Sequence, residues 1–446
     1  MPNFPQPEAA TSIQVLSPSA APESAPWNVV TRVAFRFWFV YFGLYVLFTQ
    51  MFGALLPLPI GFIPQPGRRE WSHAVVAWAA SHVFHVTGPL VFFSGSGDKT
   101  FDWVQAFCFL VVAAVATLAW SVLDPARLAY RRLHGRFHVL LRFALGATMV
   151  GYGMSKAIPL QMPAPPLTRL LEPFGNFSPM GVLWSSIGAS RPYEIFTGCA
   201  ELLGGILLFV PPLATLGALV CLADTVQIFA LNMTYDVPVK LFSFHLILLS
   251  LFLLAPDAKR LVNLFVLNRT AEPSRRAWAS PRAARFALIA QVAFGAYLVL
   301  MSLSGAVIGW SGYGGGAPKS PLYGVWIVDE MSVDGTARSP LVTDYGRWRR
   351  VVFQTPTAMG FQRMDDTFVT YGAVVDAASG TITLNNLANK SGVGRLAYER
   401  PSADRLALDG NMDGRHIRMQ LRRFDENLFL LRTRGFHWVQ EFPFNR

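Results

Sequence analysis

The stretch Tyr193–Leu254, YEIFTGCAELLGGILLFVPPLATLGALVCLADTVQIFALNMTYDVPVKLFSFHLILLSLFLL, decides the fold. It is apolar almost throughout, broken only at Pro211-Pro212 and over Asn232–Asp236. Three such runs between tight breaks read as helices packed in a membrane, where about 20 apolar residues make one crossing. The stretch nevertheless carries Glu194, Glu201, Asp224, Lys240 and His245. An ionisable group at that depth is costly, so each is a candidate for function.

Working outward, four more runs qualify as spans. The full set is Val33–Leu56, Phe101–Val122, Phe137–Ile158, Tyr193–Val210, Leu213–Leu231, Val237–Ala255 and Phe286–Trp310. An eighth run, Ala74–Phe93, contains His82, His85, Gly88 and Pro89 and reads as interfacial or re-entrant. Composition agrees: 52% of the 446 residues are hydrophobic and 15% charged, against about 25% charged in soluble domains. The net charge is +11, but the part from Ser311 onward is nearly balanced, with 17 basic and 14 acidic residues. The basic excess therefore lies in loops of the membrane part. That favours topology signals and lipid contact, and argues against a nucleic-acid partner. Arginines crowd the loops Asp124–Arg142 and Pro256–Arg285, after the second and sixth spans. Both belong in the cytoplasm by the positive-inside rule, which puts the N-terminus inside and the C-terminus outside.

The flanks differ. Residues 1–28 are rich in Pro, Ala and Ser and read as a disordered tail without a signal-peptide pattern. Residues 29–136 hold two spans and an outer loop, 137–262 a four-helix bundle, 263–285 a basic cytoplasmic loop and 286–310 the last span. Residues 311–321 are a Gly-rich linker. Over 322–446 the apolar period changes from 3.6 to 2. Nine short runs from Tyr323 to Glu441, the last two Leu428–Arg432 and His437–Glu441, are punctuated by Asp334-Gly335, Ser379-Gly380, Asp409-Gly410 and Asp413-Gly414. That pattern predicts an up-and-down antiparallel barrel or meander. The fold class is thus a polytopic helical membrane protein with an external all-β, barrel-like domain.

Among the charges, Lys156 near the outer end of its helix is expected to pair with Glu194 or Glu201, because one buried charge alone is expensive. The pair could lock the bundle or serve a proton or a quinone headgroup, since a low dielectric favours the protonated acid. Asp224 has no basic residue one turn away, so its partner must come from another helix; Gln227 could share its network. Asp236 and Lys240 flank Pro238 at the mouth of the sixth helix, as a helix start or an outer polar rim. His245 reads as an interhelical histidine, with a functional role as the alternative. His82-x-x-His85 would set two imidazoles one helical turn apart, a weak metal candidate. Cys108, Cys199 and Cys221 lie in apolar runs without a CxxC and read as buried small hydrophobes.

Two resemblances add to this reading. Gly151-Tyr152-Gly153-Met154-Ser155-Lys156, then Gly198-Cys199-Ala200-Glu201-Leu202-Leu203-Gly204-Gly205, then the Ala255-Pro256-Asp257 exit, resemble the DoxX family of small four-helix membrane proteins. Ser178–Gly181 and Tyr235–Lys240 resemble a longer form of it. The resemblance covers Arg142–Leu261 and implies a bacterial inner-membrane protein, in a family where some members join thiosulfate–quinone or thiol redox complexes. Three further spans and the β domain depart from that pattern. Gly324-x-Trp326 with Arg432 or Arg434 resembles the lipocalin opening, which implies Trp326 and Arg432 at a ligand-binding barrel base. The expectation is binding of a quinone or lipid within a membrane redox complex. The alternative is a non-catalytic envelope protein whose β domain binds a protein partner.

Overall fold

The computed structural model describes residues 26–57, 66–92, 97–270, 281–387 and 391–445. Almost all of the predicted disordered tail, and Arg275 and Arg276 of the basic loop, lie outside them. Seven helical segments are long and apolar enough to cross a membrane: α1 (Val29–Phe48), α2 (Thr100–Leu123), α3 (Arg131–Ala157), α4 (Arg191–Phe209), α5 (Ala214–Thr234), α6 (Lys240–Leu254, continued through a tight turn at Ala255–Asp257 to Phe265) and α7 (Pro281–Gly312). The ambiguous eighth run forms a helix over Glu70–His82 only. Thirteen residues rise about 20 Å, short of the roughly 30 Å hydrocarbon layer.

Helix ends follow local chemistry. The Asn28 side chain accepts the Thr31 N–H (2.7 Å) and starts α1 four residues before the predicted run. The same run was expected to reach Leu56 unbroken. Instead the Thr49 hydroxyl donates to the Tyr45 carbonyl (2.7 Å), Thr49 turns extended, and a separate helix, Gln50–Leu55, follows. The last span likewise begins at Pro281, so the end of the expected basic loop is helical. The start of α6 needs another correction. Pro238 precedes the helix rather than sitting in its first turn, and Asp236 adopts φ +52. The cap comes from far away: Asp98 Oδ2 and Oδ1 accept the N–H groups of Lys240 (2.8 Å) and Leu241 (3.0 Å).

The bundle core sits around α3, which is buried continuously from Leu141 to Val150. Helices in lipid gain little from apolar burial, so close backbone approach at small residues carries the packing. On α3 and α4 this is literal: a Cβ on Gly198 would lie 2.4 Å from the Ala157 nitrogen and 2.7 Å from the Gly153 carbonyl. Near the start of α1, the buried Arg36 ties three segments. Its guanidinium donates to Ser121 Oγ (2.8 Å), the Asp124 carbonyl (2.8 Å) and the Tyr130 hydroxyl (2.7 Å).

After α7 the chain forms a closed eight-stranded antiparallel barrel: β1 (Gly324–Val333), β2 (Trp348–Thr355), β3 (Ala358–Arg363), β4 (Phe368–Asp376), β5 (Thr381–Asn385), β6 (Gly392–Ser402), β7 (Arg405–Met412) and β8 (Arg415–Arg423). Each strand pairs with the next, β1 pairs with β8 to close it, and Thr336–Ala337 folds back on β1. Asp334-Gly335 and Asp413-Gly414 make the expected turns at positive φ. Asp409-Gly410 does not turn; it lies inside β7, where a Cβ on Gly410 would meet the Arg395 carbonyl at 2.3 Å. The expected strands at Leu428–Arg432 and His437–Glu441 are absent among the described residues; Leu430–Thr433 is instead one helical turn. The eight-stranded interior is just wide enough for side chains, and Trp326, Phe353, Phe361, Leu396 and Leu408 fill it.

A bridge joins the two parts. The chain leaving α3 forms a short helix, Leu167–Leu171, that lies on the barrel. Leu167 packs with Val325 and Val352. The Leu167 N–H donates to Gln354 Oε1 (2.8 Å), and Gln362 Nε2 donates to the Leu171 carbonyl (3.3 Å).

Candidate functional site

The charged helices converge on one cavity of about 370 Å³. Lys156, Glu201 and Asp224 line it, each from a different helix, with Tyr152, Trp184 and Phe242 among the surrounding walls. Its volume lies in the range of small-molecule sites, and its apolar walls with a few convergent polar groups are the usual composition of one.

The choice left open for Lys156 resolves toward Glu201. The ammonium meets Glu201 Oε1, with Lys156 7% and Glu201 3% exposed. Glu194 does something else. It is buried, and its Oε1 accepts the Met162 N–H (2.9 Å), which fixes the loop after α3 against the start of α4. That loop also gives Gln161 and Met162 to the cavity wall, and the Trp184 indole N–H donates to the Gln161 carbonyl (3.0 Å).

Two carboxylate oxygens on the acids that line the cavity have no partner. Glu201 Oε2 and Asp224 Oδ2 are both shielded from solvent and neither has a hydrogen-bond partner among the described residues. Buried polar atoms in native folds are nearly always satisfied, so orphan ones mark a missing partner, strain or a functional role. Here two sit in one cavity beside a lysine. Gln227 lines the same wall as Asp224. At the ends of α5 and α6, Asn232 Nδ2 donates to Ser243 Oγ (3.0 Å), a polar pair that sequence reasoning missed.

No family model matches the chain, and no solved structure matches it. A curated protein of Bacillus subtilis (strain 168), uncharacterized protein YwoB, is similar: 33% identical over 84 residues, which is 19% of this chain. The chain spans about half the length of that relative, 54%.

The other candidates fall elsewhere. His245 is buried between α1 and α6. Its Nδ1 donates to the Leu241 carbonyl (2.7 Å), so its Nε2 accepts from the Tyr41 hydroxyl (2.6 Å), and the ring stacks on Tyr45 at 3.9 Å. Every ring nitrogen is satisfied, as an interhelical histidine requires. Lys240 Nζ donates to Asp236 Oδ1 (2.8 Å) on an exposed rim, and this bond holds the Asp236 carboxyl below its ordinary range. The pairing of His82 and His85 on one helix face fails, because the helix stops at His82 and His85 adopts φ +53. No group of three metal-ligating side chains occurs among the described residues. Cys199 is exposed on the bundle surface rather than buried.

In the barrel, Trp326 is 0% exposed and its indole N–H donates to the Leu322 carbonyl (3.0 Å). Arg400 sits 5.8 Å from the ring, and Arg423 at the end of β8 is the cross-strand partner of Trp326. Arg432 lies beyond the last strand and pairs with Glu426 (2.8 Å), so it is not the late-strand arginine of the lipocalin expectation.

Proposed function

We propose that the protein is a DoxX-like integral protein of the bacterial inner membrane whose bundle binds the polar head of a lipophilic molecule, a quinone or a lipid, as a subunit of a membrane redox complex. The observation that carries the binding step is the pair of unpartnered carboxylate oxygens, Glu201 Oε2 and Asp224 Oδ2, in one apolar-walled cavity beside Lys156. A head with hydroxyl groups would complete their hydrogen bonding, and a carbonyl head would do so with whichever acid carries a proton, while its tail lies along Phe196, Ile228 and Leu231. Burial would make those bonds stronger than in water. The redox setting rests on the sequence resemblance alone. The basic loops support a cytoplasmic N-terminus and a barrel on the opposite face. The test is extraction of the full-length protein with native lipid, followed by mass spectrometry of what co-purifies and a redox difference spectrum. Absence of any co-purifying small molecule overturns the proposal.

A second reading draws on the filled barrel interior. A barrel without room inside offers its outer face, which fits a non-catalytic envelope protein whose β domain binds a protein. In-membrane crosslinking from barrel surface positions would separate the two. A specific protein adduct with no small-molecule ligand in the bundle favours the second.

A further inference from the structure

The chain after the last strand was expected to add two strands and instead leaves the barrel. It leaves from the end that docks on the helices. The Phe424 N–H donates to the Val325 carbonyl (2.8 Å), and Phe424 packs with Leu171 and Tyr323 around the Leu167–Val325–Val352 contact. From there it displays large apolar side chains to the outside: Phe436 is 74% exposed, Trp438 91%, Val439 77% and Phe442 83%, with Leu430 and Leu431 above half. Scattered exposed apolar residues need no explanation, but a contiguous set this large marks a surface that something covers.

The composition of the segment selects the cover. An arginine, Arg434, is woven into the aromatic group, while Arg432 pairs with Glu426. Arg434 bonds the His437 ring, donates to Gln440 Oε1 (3.2 Å) and sits 4.8 Å from the Phe444 ring, while Phe436 and Trp438 meet edge to face at 5.0 Å. Trp and Phe with interleaved Arg is the make-up of a membrane interface, where the ring is apolar enough for the acyl boundary and the guanidinium meets phosphate. The tether permits it. Only residues 313–323 separate the end of α7 from β1, and Ser320 within them is already bonded to Gln354 at the docked end. That end of the barrel therefore stays close to the bilayer that α7 leaves.

We infer that residues 424–445 form an interfacial anchor that lays Trp438, Phe442 and their neighbours into the headgroup layer of the membrane the helices span. The anchor and the Leu167–Leu171 bridge then hold the barrel at two points over the helical part. The inference is independent of what the bundle cavity binds.

The full-length protein in nanodiscs of phosphatidylcholine and phosphatidylglycerol, doped with a photoactivatable phospholipid, tests this directly. After irradiation and proteolysis, peptides within 428–444 should carry lipid adducts, as peptides of α1–α7 do. In Trp438→Ser/Phe442→Ser, adducts on that segment should fall at least tenfold while those on the spans stay unchanged, which also reports that the variant is folded. Spans labelled and the segment unlabelled in the wild-type protein would overturn the inference. So would protection of the segment only when a second protein is present, which would make the surface a protein-docking site.

Discussion

Replacing Glu201 by leucine should destabilise the bundle far more than its size predicts. The carboxylate is 3% exposed and its Oε1 meets the Lys156 ammonium, itself 7% exposed, where α3 and α4 are in backbone contact at Gly153 and Gly198. Removing one partner of a buried pair strands the other charge at a cost of about 3–5 kcal/mol, whereas replacing both by apolar groups of similar volume is often neutral or stabilising. A lysine near a helix end can recover part of that cost by snorkelling toward the interface. Lys156 lies in the last turn of α3, so the lower figure, about 3 kcal/mol, applies. The assay is reversible unfolding in bicelles, comparing wild type, Glu201→Leu, Lys156→Met and the double variant. The double should recover to within about 1 kcal/mol of wild type, which, with about 3 kcal/mol for each single variant, makes the coupling about 5 kcal/mol. A Glu201→Leu protein as stable as wild type, or a double variant no better than the worse single one, would refute the reasoning that the pair is a desolvated structural lock.

Other outcomes follow from the same structure. Gly198→Val should cost at least about 1–3 kcal/mol and disturb the cavity, because its Cβ would sit 2.4 Å from the Ala157 nitrogen; an unchanged melting curve contradicts the close packing. Asp98→Ala should cost about 1 kcal/mol and speed amide exchange at Lys240 and Leu241 specifically, since it removes the cap of α6. Exchange unaltered at those two amides would argue against it. In the barrel, the Ser379 hydroxyl and the N–H groups of Ala378 and Ser379 hold the Asp376 carboxyl below its ordinary range. Its contribution to the turn is therefore present above the ordinary carboxylate pKa and is lost as pH falls through the lower folded value. Asp376→Ala should remove that acid sensitivity from exchange at 378–380, and equal sensitivity in both proteins speaks against it.

The sequence carried the helices well because hydropathy and breaks are local signals, and each of the seven runs overlaps an observed span, with ends that differ by up to ten residues. What it could not carry was cross-chain chemistry. Nothing near Lys240 announces that Asp98 caps it, and nothing near Arg36 announces that it is a buried clamp. In the barrel, β3 escaped notice because its burial does not alternate: Met359, Gly360, Phe361 and Gln362 are all buried. The reason is tertiary. The Leu167–Leu171 helix covers the outer face of that strand, with Thr168 3.5 Å from the position of a Gly360 Cβ, so the period of two disappears. The reverse error arose after Arg423, where alternating aromatic residues look like strands but have no strand edge left to join, since β1 and β8 already close the barrel. In the cavity, Lys156, Glu201 and Asp224 stood out as charges in apolar runs. Gln161, Trp184, Asn232 and Ser243 did not, because polar uncharged residues near helix ends are common and only the packing brings them together.

The most direct measurement is native mass spectrometry of the full-length protein released from lipid nanodiscs, wild type beside Asp224→Asn/Glu201→Gln. Asp224→Asn costs no internal hydrogen bond at Asp224 Oδ2, whereas Glu201→Gln also removes the charge that meets Lys156, so the comparison is made only on folded protein and with Asp224→Asn alone beside the double variant. The account predicts a bound lipophilic molecule on the wild-type protein and at least tenfold lower occupancy on the folded double variant. A wild-type protein with no bound molecule, or equal occupancy in both, would contradict it.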